Sequence, residues 1–340
     1  MNVAIPARPA HFARPGLGVA LGAFCISFAP IFVKAVDPHA LGPTAIAFHR
    51  MWLGGTVLAL AAAWQGVSLR PSWSMLGWAL AAGAFFAGDL YSWHRAILHV
   101  GAGMATILAN TQVFWVAIFG ALVLRERLSP RLVIAIPVAV VGIALLSGFV
   151  FVYFEVLGGT VPGSPDLQSM PSAQPFDPIG VVLGLATGLF YSGYLLTLRR
   201  AQKLTHRPVN ALAYMVWVCF AGAALLGLAA LSEGHPLVPP DARTWWLLVG
   251  LAVVAQGAGW WVLATNLPYV PASRTGLIIL LQPTLATVWG AILFHEVLGR
   301  MQLAGAALTL LAISFGATAT AAAATPARDP DPIPTVPDLV

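Results

Sequence analysis

Apolar stretches of about 20 residues, the length of helix needed to cross a hydrocarbon core, recur along nearly the whole chain, separated by short polar gaps. This pattern predicts ten spans, near residues 16–36, 41–64, 74–98, 101–124, 131–150, 178–198, 208–231, 244–266, 271–294 and 301–321. Proline and charge mark the gaps at Asp37-Pro38, Arg70-Pro71, Ser129-Pro130, Asp177-Pro178, Arg207-Pro208, Pro239-Pro240 and Pro268. The longest gap, 151–177, is rich in Pro, Gly and Ser and separates two halves. Residues 1–15 and 322–340 are Pro- and Ala-rich without apolar period and read as disordered tails. The first apolar stretch is too long for a signal-peptide core and lacks a convincing cleavage site, so it is read as a helix.

The second half repeats the first. Val100–Leu146 lies over Val270–Gly316 at a constant offset of 170 without a gap. Gln112 falls on Gln282, Gly120 on Gly290, Glu126 on Glu296 and Ile143 on Ile313. Apolar positions match cheaply, whereas Gln inside a span and Glu at its exit are rare in lipid. The expected architecture is therefore an all-α membrane protein, with repeat 1 over 16–150 and repeat 2 over 178–321. Two such halves suit a carrier that rocks about a shared central site.

Composition fixes the solvent. Of 340 residues 59% are hydrophobic and 9% charged, against about 25% charged in soluble domains. The net charge of +5 does not point to nucleic acid, because the basic residues cluster in the gaps. With the N-terminus in the cytoplasm, twelve of the 17 Lys and Arg fall on the cytoplasmic side and three outside. Arg95 near the outer boundary and Arg50 within a span complete the set. Connector 151–177 carries acids and no Lys or Arg. The bias places both termini in the cytoplasm of a plasma membrane, that of a bacterial inner membrane. Five spans per half is odd, so the repeats must be inverted.

Polar residues at membrane depth carry the candidate chemistry, since a buried charge needs a partner or a wet cavity. Arg50 and Asp89 each lie nine residues from the outer end of their spans, about 13 Å deep. They are expected to pair, as a structural pin between helices two and three, as a cavity wall, or as both. Trp93 and His94 follow Asp89 by four and five residues. They line the cavity or anchor the helix at the interface, and His94 is a candidate carrier of a coupling proton. His49 points away from Arg50 and reads as a packed or hydrogen-bonded histidine. Asn110, Gln112 and Gln282 form a neutral polar set read as cavity lining, with Gln256 and Trp260 as its partners in helix eight. Glu126 and Glu296 read as organisers of tight turns. Gly18-x-x-x-Gly22 and Gly180-x-x-x-Gly184-x-x-x-Gly188 read as close-packing stripes. Cys25 and Cys219 read as small packing residues, without disulfide or metal-ligand spacing.

The stretch Gly83–Leu124 contains Phe85-Phe86-Ala87-Gly88-Asp89-Leu90, Trp93-His94-Arg95-Ala96-Ile97 and Ala105-Thr106-Ile107-Leu108-Ala109-Asn110. It resembles the drug/metabolite transporter superfamily, and within it the EamA-type transporters, many of which carry a similar Asp-Leu-x-x-Trp-His segment in helix three. Arg50 in helix two and the endings Glu126-Arg127-Leu128 and Glu296-Val297-Leu298 also match. The resemblance covers about residues 16–321 and implies export of a small metabolite, with an amino acid or related compound as the leading class. Val113 stands where that family often has proline, and Ala96 replaces a common serine. The first departure questions the kink of helix four, not the fold.

Two other classes make distinct demands. An intramembrane enzyme on lipid or peptide needs a nucleophile–base pair or paired carboxylates at one depth, and Asp89 is the one well-buried acid. A channel-like subunit needs a continuous wet pore. No P-loop, dinucleotide fingerprint or zinc-hydrolase helix is present. The expectation is a non-enzymatic secondary transporter without cofactor or metal, acting on a small molecule within a lipid bilayer.

Overall fold

In a computed structural model of the chain, the described residues are 14–37, 41–124, 128–146, 178–204, 210–234, 236–294 and 300–317. Their regular structure is helical throughout. In chain order the helices are α1 (Pro15–Ile26), α2 (Ala29–Ala35), α3 (Pro43–Trp64), α4 (Trp73–Asn110), α5 (Gln112–Leu124) and α6 (Pro130–Leu146). After the connector come α7 (Pro178–Leu204), α8 (Ala211–Ser232) and α9 (Ala242–Gly250), which continues into wider π-type turns over Leu251–Gly259. Then follow α10 (Trp260–Asn266), a 3₁₀ turn (Leu267–Tyr269), α11 (Ala272–Ile279), α12 (Leu281–Phe294) and α13 (Arg300–Ala317). The expected tails, the connector, Glu126 and Glu296 lie outside the described residues.

Six helical stretches among the described residues are long and apolar enough to cross a bilayer: Pro15–Ala35, Pro43–Trp64, Pro178–Ala201, Ala211–Ser232, Ala242–Tyr269 and Ala272–Leu293. Their outward faces are apolar, with Leu60, Leu185, Leu228 and Ile292 exposed, as lipid requires. Trp64, Trp73 and Trp246, at helix ends, are also exposed, where an indole suits the interface. Ser72, Asn210 and Asp241 accept hydrogen bonds from the first-turn amides of Met75, Leu212 and Thr244. Each thereby caps its helix.

The expected turn between helices three and four is replaced by one helical run, α4, but that run folds back on itself. Gly88 packs against Phe190 and Gly193 against Phe85, an antiparallel approach to α7, whereas Gly184 meets Leu108 and Gly188 meets Thr111, a parallel one. A straight helix would hold Gly88 and Gln112 about 36 Å apart. Yet the Gln112 carbonyl accepts from Ser192 Oγ at 3.1 Å, two residues from Phe190. The chain therefore reverses within α4, and its two legs flank α7.

Two spans are interrupted that the sequence reads as continuous. α1 stops at Ser27, whose Oγ donates to the Phe24 carbonyl at 2.6 Å, and Pro30 starts α2 without an amide to continue the ladder. α11 gives way to α12 at Leu280, with Pro283 in the following turn. The break between α4 and α5 falls at Thr111, the position equivalent to Leu281. Val113 supplies no proline there; instead Thr111 Oγ1 donates to the Leu108 carbonyl at 2.5 Å. The kink is present by other means.

Packing between the halves comes in exchanged pairs. α3 lies along α8 and α6 along α13, each against its own sequence equivalent. α1 packs on α10 and the π-type turns, as α7 packs on the first leg of α4. The glycine stripes sit at these seams: a side chain at Gly18 would strike Asn266, and one at Gly22 would strike the Gly259 carbonyl and Leu263. Gly142 meets Thr309 across α6 and α13 in the same way.

Candidate functional site

Arg50 points from α3 into the seam between the halves. Its Nε donates to Gln256 Oε1 at 3.0 Å, and its guanidinium lies 5.5 Å from the Phe86 ring centroid. Gln256 is fully buried and completes the link by donating from Nε2 to Cys219 Sγ at 3.4 Å. The π-type turns of Leu251–Gly259 aim Gln256 at α3, and Gly54 leaves it room, since a Cβ there would collide with it. Segments of this kind recur at functional positions.

Asp89 is buried within electrostatic reach of Arg50, Tyr191 included in the same neighbourhood. The expected direct pair does not form. Among the described residues, no cation lies within ion-pair distance of Asp89 and no group donates to its carboxylate. Arg50 takes Gln256 as its partner because the widened turns bring that amide closer than the α4 carboxylate. Arg50 and Asp89 thus lie within electrostatic reach of each other without a direct ion pair.

Aromatic rings pack around Arg50. Phe86 and Tyr194 stack at 4.4 Å, and Trp260 meets them edge-on at 5.1 Å and 4.8 Å. Tyr191 stands 6.0 Å from Trp260, and its hydroxyl accepts from Gln282 Nε2 at 3.4 Å. Trp260 is buried, and its indole N–H has no acceptor among the described residues. Such a set can hold a small solute with complementary charges and an apolar body. It contains no nucleophile–base couple.

Of the sequence candidates, Arg50, Asp89, Gln256, Trp260 and Gln282 converge here. Gln112 does not. It is 1% exposed, and its Nε2 donates to the Gly276 carbonyl at 3.4 Å, tying α5 to α11. Gln112 thus lies apart from the cluster, where sequence reading had placed it as cavity lining, and its side chain bridges two helices. Asn110 is half-buried at the end of α4. His94 is buried, with Nδ1 2.6 Å from the Leu90 carbonyl and the Trp93 ring edge-on at 5.0 Å. His49 is hydrogen-bonded as expected, its Nε2 lying 2.6 Å from the Leu237 carbonyl. Arg199, placed in a loop by the sequence, is a buried residue of α7.

Sequence reasoning missed Phe86, Tyr191, Tyr194 and Cys219 as site residues. An aromatic or a thiol inside an apolar span has no contrast with its neighbours. The one available signal was spacing: Phe86 precedes Asp89, and Tyr191 precedes Tyr194, by three residues, which puts each couple on one helical face.

Above this cluster, at the other end of His94, lies a cavity of about 520 Å³ between the start of α3, the Tyr91–Arg95 turn of α4 and the end of α8. Arg95 Nη2 contacts Glu233 Oε1 at 2.8 Å across it.

Comparison with known proteins bears on this arrangement. The EamA-like transporter family matches the chain twice, over residues 15–148 and 178–317. The chain is 27% identical over 294 residues to the pseudopaline exporter CntI of Pseudomonas aeruginosa, covering 86% of this chain and 92% of that protein. It is 25% identical over 215 residues to a probable amino-acid metabolite efflux pump of Salmonella typhimurium, covering 62% and 65%. A protein of known crystal structure superposes with a TM-score of 0.71 at 19% identity, over 89% of this chain and 96% of that one. That likeness shows the fold alone.

Proposed function

The chain belongs to the EamA-like transporter family, and from that premise we propose a secondary transporter that exports a small metabolite by alternating access. Counting the two legs of α4 separately gives ten spans in two inverted five-helix repeats. The paired exchange of helix contacts supports this reading, as does the match of the kinks at Thr111 and Leu280. Residues 16–150 and 178–321 form the two repeats, with the 151–177 connector outside and both termini in the cytoplasm of the plasma membrane.

The observation that carries the reading is the pair of opposite charges beside one aromatic cluster: Arg50 and Asp89 lie within electrostatic reach of each other without an ion pair. Two such charges in lipid are costly unless a wet cavity or a solute serves them. A zwitterion, such as an amino acid or a related compound, meets both demands. Its carboxylate faces Arg50, held by Gln256, its ammonium faces Asp89, and its body packs on Phe86, Tyr191, Tyr194 and Trp260. Rocking of the halves along the glycine-lined seams then exposes this point to either side in turn. Asp89 and His94 are the groups able to carry a coupling proton, and no cofactor or metal enters the cycle.

Comparing intracellular and extracellular metabolites of cells that overexpress or lack the protein tests the function. One zwitterionic compound should leave the overexpressing cells faster and accumulate in cells lacking the protein. No change in any compound would contradict export. Reporter fusions test the topology: position 340 and loop 199–207 should report cytoplasm and a tag in 151–177 the outside.

A further inference from the structure

We propose that Arg95–Glu233 and His49–Leu237 form a two-point latch that shuts the central cluster off from the cavity at the α8 end. Both contacts run from first-half helices to the chain leaving α8. Arg95 of α4 reaches Glu233, which caps the C-terminus of α8. His49 of α3 lies 2.6 Å from the carbonyl of Leu237, four residues further on. Gly234, at φ +72°, makes the turn between the two attachment points. Leu237 also packs into the apolar cluster of Leu41, Ala45, Leu248 and Leu251, which anchors this attachment point.

The latch lies on the exit route. Tyr91, His94 and Arg95 occupy the turn of α4 directly beyond Asp89, and Thr44 stands about two turns from Arg50 on α3. His94 lines the cavity and lies within electrostatic reach of both Arg50 and Glu233, so it stands between the cavity and the cluster. Opening there requires α8 to separate from the α3 and α4 ends, and these two contacts resist that separation. Arg95 also lies over the Tyr91 ring at 4.8 Å, which holds the guanidinium in place when Glu233 leaves. The ion pair is only partly shielded, with side chains 40% and 13% exposed, which suits a contact that must break in every cycle.

This proposal rests on alternating access, and its test separates the two. Cys219 lies in the cluster as the acceptor of Gln256 and serves as reporter once Cys25 is replaced by alanine. The probe is a membrane-impermeant methanethiosulfonate bearing a quaternary ammonium, applied from either face of sealed vesicles holding the full chain. With the latch intact, labelling from the α8-end face is slow. Glu233→Gln should raise that rate by about five-fold, the scale of an ion pair of this exposure, and His49→Phe should raise it further. The charge swap Arg95→Glu with Glu233→Arg should return it towards the parent rate. A reporter at Gln282→Cys in a cysteine-free background repeats the measurement should the Cys219 thiol prove unreactive. Unchanged rates in both reporters would overturn the latch. So would a rise from both faces together, which marks general loosening. A latch effect seen on the face that fusions identify as cytoplasmic would leave the latch standing and overturn the topology.

Discussion

Gln112 and Gln282 occupy equivalent positions in the two halves and do different work. Gln112 is buried against α11, its amide tied to the Gly276 carbonyl. Gln282 is half-buried and donates to the Tyr191 hydroxyl beside Trp260. Sequence equivalence therefore implies similar placement in the fold, not a shared role. The surroundings decide: Ser192 of α7 closes over the Gln112 backbone, whereas the Gln282 amide reaches the Tyr191 hydroxyl of the aromatic cluster. Two halves that match one family model thus bring unlike residues to one cluster, with Arg50 and Asp89 from the first and Gln256, Trp260 and Gln282 from the second.

The largest effect should come from the charge that both halves share. Arg50→Gln removes the cation from Asp89 and the donor from Gln256. A buried hydrogen bond to a charged group contributes about 1.5–3 kcal/mol, so folded yield in detergent should fall and export of the accumulated compound should cease. Arg50→Lys keeps the charge but not the Nε–H that Gln256 accepts, and should recover fold better than export. Equal recovery of both would show that the Arg50–Gln256 contact has no part in transport.

A second test asks whether the seams or the lipid faces hold the halves together. Gly22→Val would strike the backbone of Gly259 and Leu263 and should lower stability by about 1–3 kcal/mol. Gly77 has nothing near its missing Cβ, and Gly77→Val should stay within about 0.5 kcal/mol. Thermal unfolding in one detergent compares them, and equal losses would dissolve the distinction.

The smallest effect sharpens the glutamine contrast itself. Gln112→Leu exchanges one long interhelical hydrogen bond for packing, at about 0.6 kcal/mol, and should leave export intact. Gln282→Leu should be as stable as the parent and yet lower export about ten-fold. Loss of export in both variants, measured as efflux of the same compound, would return Gln112 to the cavity.

Much of the frame was legible because lipid leaves few options: long apolar stretches, proline-marked gaps and a constant offset are properties of sequence. The break at Leu280 was announced by Pro283, whereas its mate at Thr111 was not, because a threonine hydroxyl bonding back to a carbonyl has no such signature. The Arg50–Asp89 pair was inferred from depth. Depth along two helices does not fix the angle between side chains, and the π-type turns that bring Gln256 to Arg50 are a backbone feature unmarked by any residue type. Most of the aromatic cluster escaped for a third reason, since Phe86, Tyr191 and Tyr194 look like any other residues of an apolar span.

Sided thiol labelling of single cysteines at 112 and 282, in a background lacking Cys25 and Cys219, tests the central claim most directly. The account predicts that Gln282→Cys reacts with a small polar reagent from one face at a time and is protected by the exported compound, while Gln112→Cys stays unlabelled. Simultaneous labelling of both positions from both faces would show a continuous pore and contradict alternating access around a site that includes Gln282 and not Gln112.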